Sequence, residues 1–299
     1  MTTYDFIASN KRKTAALIAV FFALVLGLGW FLDQVYGSGG SFIFIAAGYS
    51  SVTALFSYFA GDKVALFASG ARPVTEAESP RLVRLIQNLC LTVGMPEPKV
   101  HVISDPAINA FATGRDPQHA SIAVTTGALE RLDDVELEGV LAHELSHVRN
   151  YDIRLMTVVI VLVGTITVIG DLVWRWSFFG RRRSGRDRGG DAGGVLMIVG
   201  LVFIVLAPIV AQLIKLAVSR RREFLADASA ALITRFPDGL TRALRKIAEE
   251  SRPMERASAA TAHLFFANPF SGRALAGLFS THPPIEARIE ALSRMAGTN

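Results

Sequence analysis

Four long stretches without a charged side chain limit what this chain can fold into more than any other feature of its sequence. They are residues 14–32, 34–61, 155–170 and 192–214. A helix that crosses about 30 Å of hydrocarbon needs about 20 apolar residues, because each residue advances the helix by about 1.5 Å. The third stretch reaches this length only if Asp171 lies at an interface and residues 172–174 continue the helix. The pattern predicts about four hydrophobic helices and therefore an integral membrane protein.

The composition also differs from that of an ordinary soluble enzyme. Charged residues make up 19% of the chain, against about 25% in soluble domains. About 200 residues remain outside the apolar stretches, enough for one compact polar domain. The formal net charge is +5, and basic clusters at residues 11–13 and 220–222 flank the first and last apolar stretches. This placement favours contact with anionic lipid headgroups and predicts no nucleic-acid partner.

The polar segments predict a mixture of helices and strands. Pro80 after Ser79 predicts the start of a helix that ends near Gly94. A second helix is predicted from Asp133 to about Asn150, with acidic residues in its first turn. Residues 99–104 and 120–125 are predicted strands, separated by a turn-rich segment. Three further helices are predicted within residues 220–234, 238–250 and 282–295.

The sequence His143-Glu144-Leu145-Ser146-His147 is the clearest chemical signal. Four residues make about one helical turn, so the two imidazoles lie on one face and can hold a zinc ion. Glu144 lies beside that ion, where it can accept a proton from a zinc-activated water. The alternative is a pair of ordinary core histidines, which we disfavour because apolar neighbours on the same helix already supply its packing surface.

Catalytic zinc usually takes three protein ligands, so a third must lie elsewhere in the chain. Asn150 and Ile153 occupy the positions where a metzincin has its glycine and third histidine, which excludes that branch. We favour Glu223, which follows the last apolar stretch and shares a helical face with Asp227. A solvated arginine–glutamate pair is the alternative interpretation of Glu223. The weaker candidates for the third ligand are two histidines, His263 and His282.

Together these motifs resemble the HtpX family of membrane zinc metalloproteases, relatives of the CAAX prenyl proteases. The resemblance covers nearly the whole chain and rests on two N-terminal apolar helices, a second apolar pair, and the motifs at residues 70–73, 109–114, 143–147, 223–227 and 281–284 with Arg288. It implies a mainly α-helical integral membrane protein whose zincin-like catalytic domain contains a small β-sheet and is attached to about four hydrophobic helices. It also implies a zinc metalloendopeptidase with one zinc ion per chain.

The resemblance assigns roles to individual residues. It implies that His143, His147 and Glu223 bind zinc, that Glu144 is the catalytic base, and that Asp227 hydrogen-bonds one of the liganding histidines.

The resemblance also makes residues 109–114 the best candidate for an edge that pairs with an extended substrate strand, although an ordinary turn that begins at an asparagine is the alternative. The substrate-binding residues expected there are Asn109, Ala110, Phe111 and Ala112. His282 is a candidate to stabilise the oxyanion with Arg288 steadying it, although a structural histidine–arginine pair is the alternative.

The apolar stretches divide the chain into four segments. Residues 1–61 form two N-terminal transmembrane helices, residues 62–154 the first part of the protease domain with the H-E-x-x-H helix, residues 155–218 a hydrophobic hairpin, and residues 219–299 the second part of the domain. The connection at residues 33–40 carries no lysine or arginine, so the positive-inside rule predicts a catalytic domain that faces the cytoplasm.

The hydrophobic hairpin conflicts with the same rule. A hairpin that crossed the membrane fully would export the arginine-rich loop between its two stretches. Either the remaining segments dominate the orientation, or the hairpin is partly re-entrant, which the short third stretch slightly favours.

The sequence thus predicts a multi-pass membrane zinc endopeptidase. The resemblance further implies a protease of the cell inner membrane that cleaves misfolded or damaged membrane proteins, a quality-control activity associated with stress. The alternatives are a catalytically silent membrane scaffold and a small-molecule or ion transporter. The scaffold is disfavoured because base and ligands are all present, and the transporter because few charges lie within the predicted spans.

Overall fold

The structure is a computed structural model that describes residues 3–36, 39–165, 220–250, 252–257, 261–270 and 283–296. Most of the predicted hydrophobic hairpin, residues 166–218, therefore lies outside the described residues, as does His282.

Two long helices precede the sheet. Helix α1 is Thr3–Tyr36 and helix α2 is Ser41–Ala68, and each contains a segment long and apolar enough to cross a membrane. These are two of the four predicted hydrophobic helices. Asp33 of α1 accepts hydrogen bonds from the backbone N–H groups of Phe42 (3.1 Å) and Ile43 (3.0 Å), which satisfies the first turn of α2. Helix α2 continues past residue 61, the predicted end of the transmembrane segment, because residues 62–69 contain no glycine or proline.

A four-stranded sheet follows in the described residues. Its strands are β1 (Ala71–Pro73), β2 (Lys99–Ile103), β3 (Ala110–Gly114) and β4 (Ala120–Thr125), in the order β1-β2-β4-β3. Strand β2 pairs parallel with β4, and the two outer strands pair antiparallel with their neighbours. Strands β2 and β4 confirm the prediction, whereas β3 lies inside the segment that was predicted to be turn-rich. Gly114 ends β3 at a φ of 140°, where an added Cβ would lie 2.2 Å from the carbonyl oxygen of His119.

The remaining helices pack mainly on one another. Before the undescribed segment they are α3 (Pro80–Val93), α4 (Thr126–Arg131), α5 (Asp134–Arg149) and α6 (residues 152–165). After it they are α7 (Arg220–Thr234), α8 (Pro237–Glu250) and α9 (Ile285–Ala296). Helices α4 and α5 also contact the sheet. The small sheet among many helices confirms the mainly helical fold class, with two candidate membrane helices described.

Helix α5 lies at the centre of the domain and is held at its start by reciprocal hydrogen bonds. The Asp133 carboxylate accepts from the backbone N–H of Glu136 (2.8 Å), and the Glu136 carboxylate accepts from the backbone N–H of Asp133 (2.9 Å). Helix α5 packs against β3 and against helices α3, α7 and α8. The helix that carries the H-E-x-x-H motif is therefore enclosed by protein on most sides, and its position is set by several elements at once.

Two glycines allow α5 and α8 to approach closely. A Cβ added to Gly139 would lie 2.7 Å from the backbone nitrogen of Leu240, and one added to Gly239 would lie 2.6 Å from the carbonyl oxygen of Val135. Both contacts are with backbone atoms, which cannot move aside without displacing a helix.

We expect Gly139→Ala to destabilise the protein by about 1–3 kcal/mol, the usual cost of overpacking a core. Thermal unfolding in detergent measures this effect. Gly48→Ala in α2 is the control, because an added Cβ at Gly48 meets nothing within 4 Å. Equal melting temperatures for the Gly139 variant and the wild type would show that the α5–α8 crossing is not tightly packed.

Candidate metal centre

The H-E-x-x-H motif lies on α5 as predicted, and its two histidines face each other. The Nε2 atoms of His143 and His147 are 3.1 Å apart, because the four-residue spacing places both rings on one face of the helix. Their exposed fractions are 0% and 5%. Two imidazole nitrogens are thus aimed at one point inside the protein.

Glu223 of α7 brings a carboxylate to the same point. Its Oε2 lies 3.7 Å from Nε2 of His143, and its Oε1 lies 3.6 Å from Nε2 of His147. One ligand atom from each of the three residues lies within 4.8 Å of the others. Two imidazole nitrogens and one carboxylate, with a fourth position left for water, form a donor set that fits catalytic zinc.

A carboxylate also contacts the second ring nitrogen of each histidine. Asp227 Oδ1 lies 2.9 Å from Nδ1 of His143, and Asp152 Oδ2 lies 3.0 Å from Nδ1 of His147. A proton held at Nδ1 leaves the lone pair of Nε2 directed towards the metal and makes the ring a stronger ligand. The Asp227 contact agrees with the predicted role of that residue, which the resemblance alone had implied.

Asp152 is a site residue that the sequence reasoning missed. The chain leaves α5 through Tyr151, whose φ of 60° turns the backbone so that Asp152 returns towards His147. The sequence does contain one indication of this role. Asp152 is an acidic residue next to an apolar stretch, and such a residue is costly to bury unless it has a partner.

Arg288 binds the carboxylate that lies on the His143 side of the centre. Its Nε and one terminal nitrogen donate to the two carboxylate oxygens of Asp227, at 2.9 and 2.7 Å. The guanidinium also lies over the ring of Phe266, 4.4 Å from its centroid, and is 1% exposed. Arg288 therefore orients the carboxylate that orients His143, and the predicted contact with His282 lies outside the described residues.

Burial and neighbouring charges change the acidity of these groups. Burial lowers the pKa of His143 to about 4, so its ring is neutral near pH 7. Burial also acts to lower the pKa of His147, but the hydrogen bond to Asp152 and the charges of Glu223 and Asp152 more than offset it and raise the pKa to about 9. A metal ion binds only the neutral imidazole, so His147 would have to release its extra proton when zinc binds.

Glu144 has the properties of a general base or acid at neutral pH. Burial and the nearby Glu223 charge raise its pKa to about 7, although the charge of His147 and a hydrogen bond from the backbone of Ala112 act in the opposite direction. A catalytic group works best when its pKa is close to the working pH. The Glu144 carboxylate thus adjoins both β3 and the proposed ligands His147 and Glu223.

Strand β3 is an edge strand of the sheet, and its outer edge runs beside the metal centre. The Ala110 carbonyl accepts a hydrogen bond from the backbone N–H of Phe266 (2.8 Å), whose ring packs edge-on against His143. The Asn109 side chain binds both the N–H and the carbonyl of Ala267, at 3.1 and 3.0 Å. Asn109 thus holds the Phe266 segment against the edge that was predicted to bind substrate.

The remaining predicted site residues in the described part of the chain lie on β3 or away from the three-residue cluster. Phe111 packs against Phe265 and is fully buried, and Ala112 contacts Glu144. His263, a weaker candidate for the third ligand, contacts the carbonyl of Met156 through Nε2 and is not part of the three-residue cluster.

The histidine pair on a helix, the later glutamate and the neighbouring edge strand together define a metallopeptidase site. The sequence pattern of Peptidase family M48 matches residues 76–296, which include all of these groups. The chain belongs to peptidase family M48 and is a metalloprotease.

Relatives that are similar along nearly their whole length support this assignment. A "Protease HtpX homolog" of Tropheryma whipplei (strain Twist) is 46% identical over 295 residues, which is 98% of each chain. A protein of the same name from Dictyoglomus turgidum is 42% identical over 98% of this chain and 95% of its own. The crystal structure of S. mikatae Ste24p shares the fold with a TM-score of 0.51 at 17% identity, over 97% of this chain and 67% of that one.

We expect Asp152→Asn to weaken zinc binding about 10–100-fold, the usual effect of losing a partner that orients a liganding histidine. Competition with a chelator measures the change in Kd. Asp116→Asn is the matched control, because Asp116 also contacts Nδ1 of a histidine, His119, at 2.7 Å, but in an exposed pair that is not part of the cluster. Equal losses in the two variants would contradict a specific role for Asp152.

Proposed function

We propose that the protein is an integral membrane zinc endopeptidase that hydrolyses peptide bonds of misfolded or damaged membrane proteins on the cytoplasmic side of the membrane. The observation that carries the proposal is the buried convergence of His143, His147 and Glu223 beside Glu144. The similarity to proteases named HtpX homologs and the two candidate membrane helices support it.

The chemistry requires one proton to move twice. When bound, zinc supplies Lewis acidity and lowers the pKa of a coordinated water from about 15.7 to about 7. Glu144 accepts a proton from the attacking water and then donates it to the leaving amine. A carboxyl group with a pKa of about 7 suits both steps, because neither its charged nor its neutral form is strongly favoured at neutral pH.

An extended substrate is proposed to pair with the outer edge of β3. Pairing at Ala110 requires the backbone N–H of Phe266 to leave the Ala110 carbonyl. A substrate N–H then takes its place as the hydrogen-bond donor. Exchange of one backbone hydrogen bond for another changes the free energy little. The Phe266 segment therefore occupies the edge in the absence of substrate without preventing the use of that edge.

The contacts at the Gly114 end of β3 favour the proposal of a membrane-protein substrate. The backbone N–H of Gly114 donates to Thr157 Oγ1 of α6 (3.2 Å), and the guanidinium of Arg115 lies over the Phe59 ring of α2, 5.3 Å from its centroid. Thr157 also packs against α2, where a Cβ added to Gly61 would lie 2.7 Å from its methyl carbon. The proposed substrate edge therefore ends at a membrane-type helix, so a polypeptide emerging from the bilayer has a short path to it.

We expect Glu144→Gln to retain zinc and to lose at least about 100-fold in the rate of peptide cleavage, because the amide cannot transfer the proton. The measurement compares zinc content and cleavage of an unfolded membrane protein by purified protein in detergent. Glu138→Gln on the same helix is the control. Unchanged cleavage by the Glu144 variant would rule out the mechanism, and a wild type that cleaves no substrate in a broad panel would favour the scaffold.

We expect Glu223→Ala to lose zinc, because only the two imidazoles of the three-residue cluster remain. Elemental analysis of the purified protein gives the metal content directly. Ser229→Ala, on the same helix α7, removes only a hydrogen bond to the Leu225 carbonyl and should keep the metal. A Glu223 variant with the zinc content of the wild type would show that another residue is the third ligand.

A further inference from the structure

We propose that Asn10, in the first membrane-type helix, is a positioning residue for the metal centre and acts through Asp152 on His147. The inference rests on the proposed zinc centre and extends it to a helix that contributes no ligand. It means that the membrane anchor takes part in setting the geometry of the metal site.

Both hydrogen bonds donated by the Asn10 side chain reach the turn that connects the metal-binding helix α5 to α6. Its Nδ2 donates to Asp152 Oδ1 at 2.7 Å and to the carbonyl of Asn150 at 2.9 Å. Asn10 is 2% exposed, so neither bond is shared with bulk water. A buried amide is costly unless its polar atoms are paired, and here the pairing is with one particular turn of the chain.

Asp152 divides its two carboxylate oxygens between Asn10 and His147. Oδ2 contacts Nδ1 of His147 at 3.0 Å, while Oδ1 accepts from Asn10. Because a carboxylate is planar and rigid, a constraint on Oδ1 also fixes the direction in which Oδ2 meets the imidazole. The Asn10 amide therefore restricts the rotation of the His147 ring through one intermediate group.

Asn10 also restrains the turn that delivers Asp152. The turn comprises residues 150–152, and Asn10 binds its first and last members. The next residue of α1, Lys11, places its Nζ 4.6 Å from the centroid of the Tyr151 ring. Since Tyr151 has the positive φ that returns Asp152 to His147, α1 contacts every residue of this turn.

The third ligand is connected to the same network. Arg222 precedes Glu223 and is 6% exposed. A terminal nitrogen of Arg222 donates to Asn10 Oδ1 at 3.4 Å, and its Nε lies 3.5 Å from Asp152 Oδ1. The Asn10 side chain thus lies where α1, the end of α5 and the start of α7 meet, and these last two helices carry the three proposed ligands.

Asn10 lies at the start of the membrane-type segment Ile7–Gln34. A displacement of this helix relative to the domain breaks the contacts of Asn10 with Asp152 and Asn150 before it disturbs any ligand directly. We therefore expect full metal affinity only when α1 is seated on the domain.

The test compares Asn10→Ala and Asn10→Asp with the wild type in the full chain. Zinc Kd is measured by chelator competition, and the visible absorption of the cobalt-substituted protein reports the ligand geometry. We expect both variants to bind zinc about 10-fold more weakly, at the low end of the range for outer-shell partners, and to shift the cobalt bands. Asn10→Asp keeps the volume of the side chain, so it remains informative if the alanine variant fails to fold.

Thr14→Val is the matched control for these variants. Thr14 is buried one turn further along α1, and within the described part of the chain its hydroxyl bonds locally, to the Asn10 carbonyl at 2.9 Å. We expect its zinc affinity and cobalt spectrum to equal those of the wild type. A general loosening of α1 would instead change the Thr14 and Asn10 variants alike, which would overturn a specific role for Asn10.

A double-mutant cycle tests the route through Asp152. In an Asp152→Asn background, Asn10→Ala should weaken zinc binding by less than 2-fold. A 10-fold loss in that background, or wild-type Kd and spectrum in folded Asn10 variants, would overturn the inference while leaving the zinc centre in place. A wild type that binds no zinc, or a His147→Ala variant that binds it equally well, would overturn both the inference and the proposed function.

Discussion

The burial of two imidazoles and a carboxylate around one point is the constraint on which the rest of the structure depends. Ionisable groups at 0–5% exposure are stable together only when each charge or lone pair has a partner. Asp227 and Asp152 provide partners for the rings, and Arg288 provides one for Asp227. The two imidazoles and the Glu223 carboxylate would be the ligands of a bound zinc ion. The polar groups around the centre are thus one connected network, and a change in one member alters the environment of the others.

That network also explains why the chain returns to α5 after its second apolar pair. His147 and Glu223 are far apart in sequence, yet α7 must lie against α5 for their side chains to meet. Small buried residues on α7, Ala226 and Ala230, allow the helices to pack closely. Gly139 does the same on the other side of α5, where α8 crosses it. The position of Glu223 relative to the two histidines is therefore set by the packing of α7 against α5.

The sequence predicted the parts of the site that depend on local periodicity. The spacing of His143 and His147 gives their common face, and Asp133 marks the start of the helix that carries them. Periodicity did not predict strand β3, because its five residues show no clear strand pattern and pairing with β4 decides their conformation. Only the resemblance had indicated an edge at residues 109–114. Asp152 was missed because only the backbone turn at Tyr151 directs it towards His147. The contact with Asn10 spans 142 residues of sequence and arises from tertiary packing alone, for which one sequence carries no local signal.

The two ends of strand β3 differ in their surroundings. At one end the edge is covered by another segment of the chain, and at the other it ends beside a membrane-type helix. At Ala110 the edge is paired with Phe266, so the unpaired backbone groups that would invite non-specific strand addition are occupied. At Gly114 the strand is bonded to Thr157 and ends beside α2. In the proposed reaction an extended substrate has to replace the Phe266 contact, while a folded segment, whose own backbone is already paired, gains nothing by doing so. Under this proposal, backbone hydrogen bonding would favour unfolded polypeptide, and the position where the strand ends would favour membrane proteins.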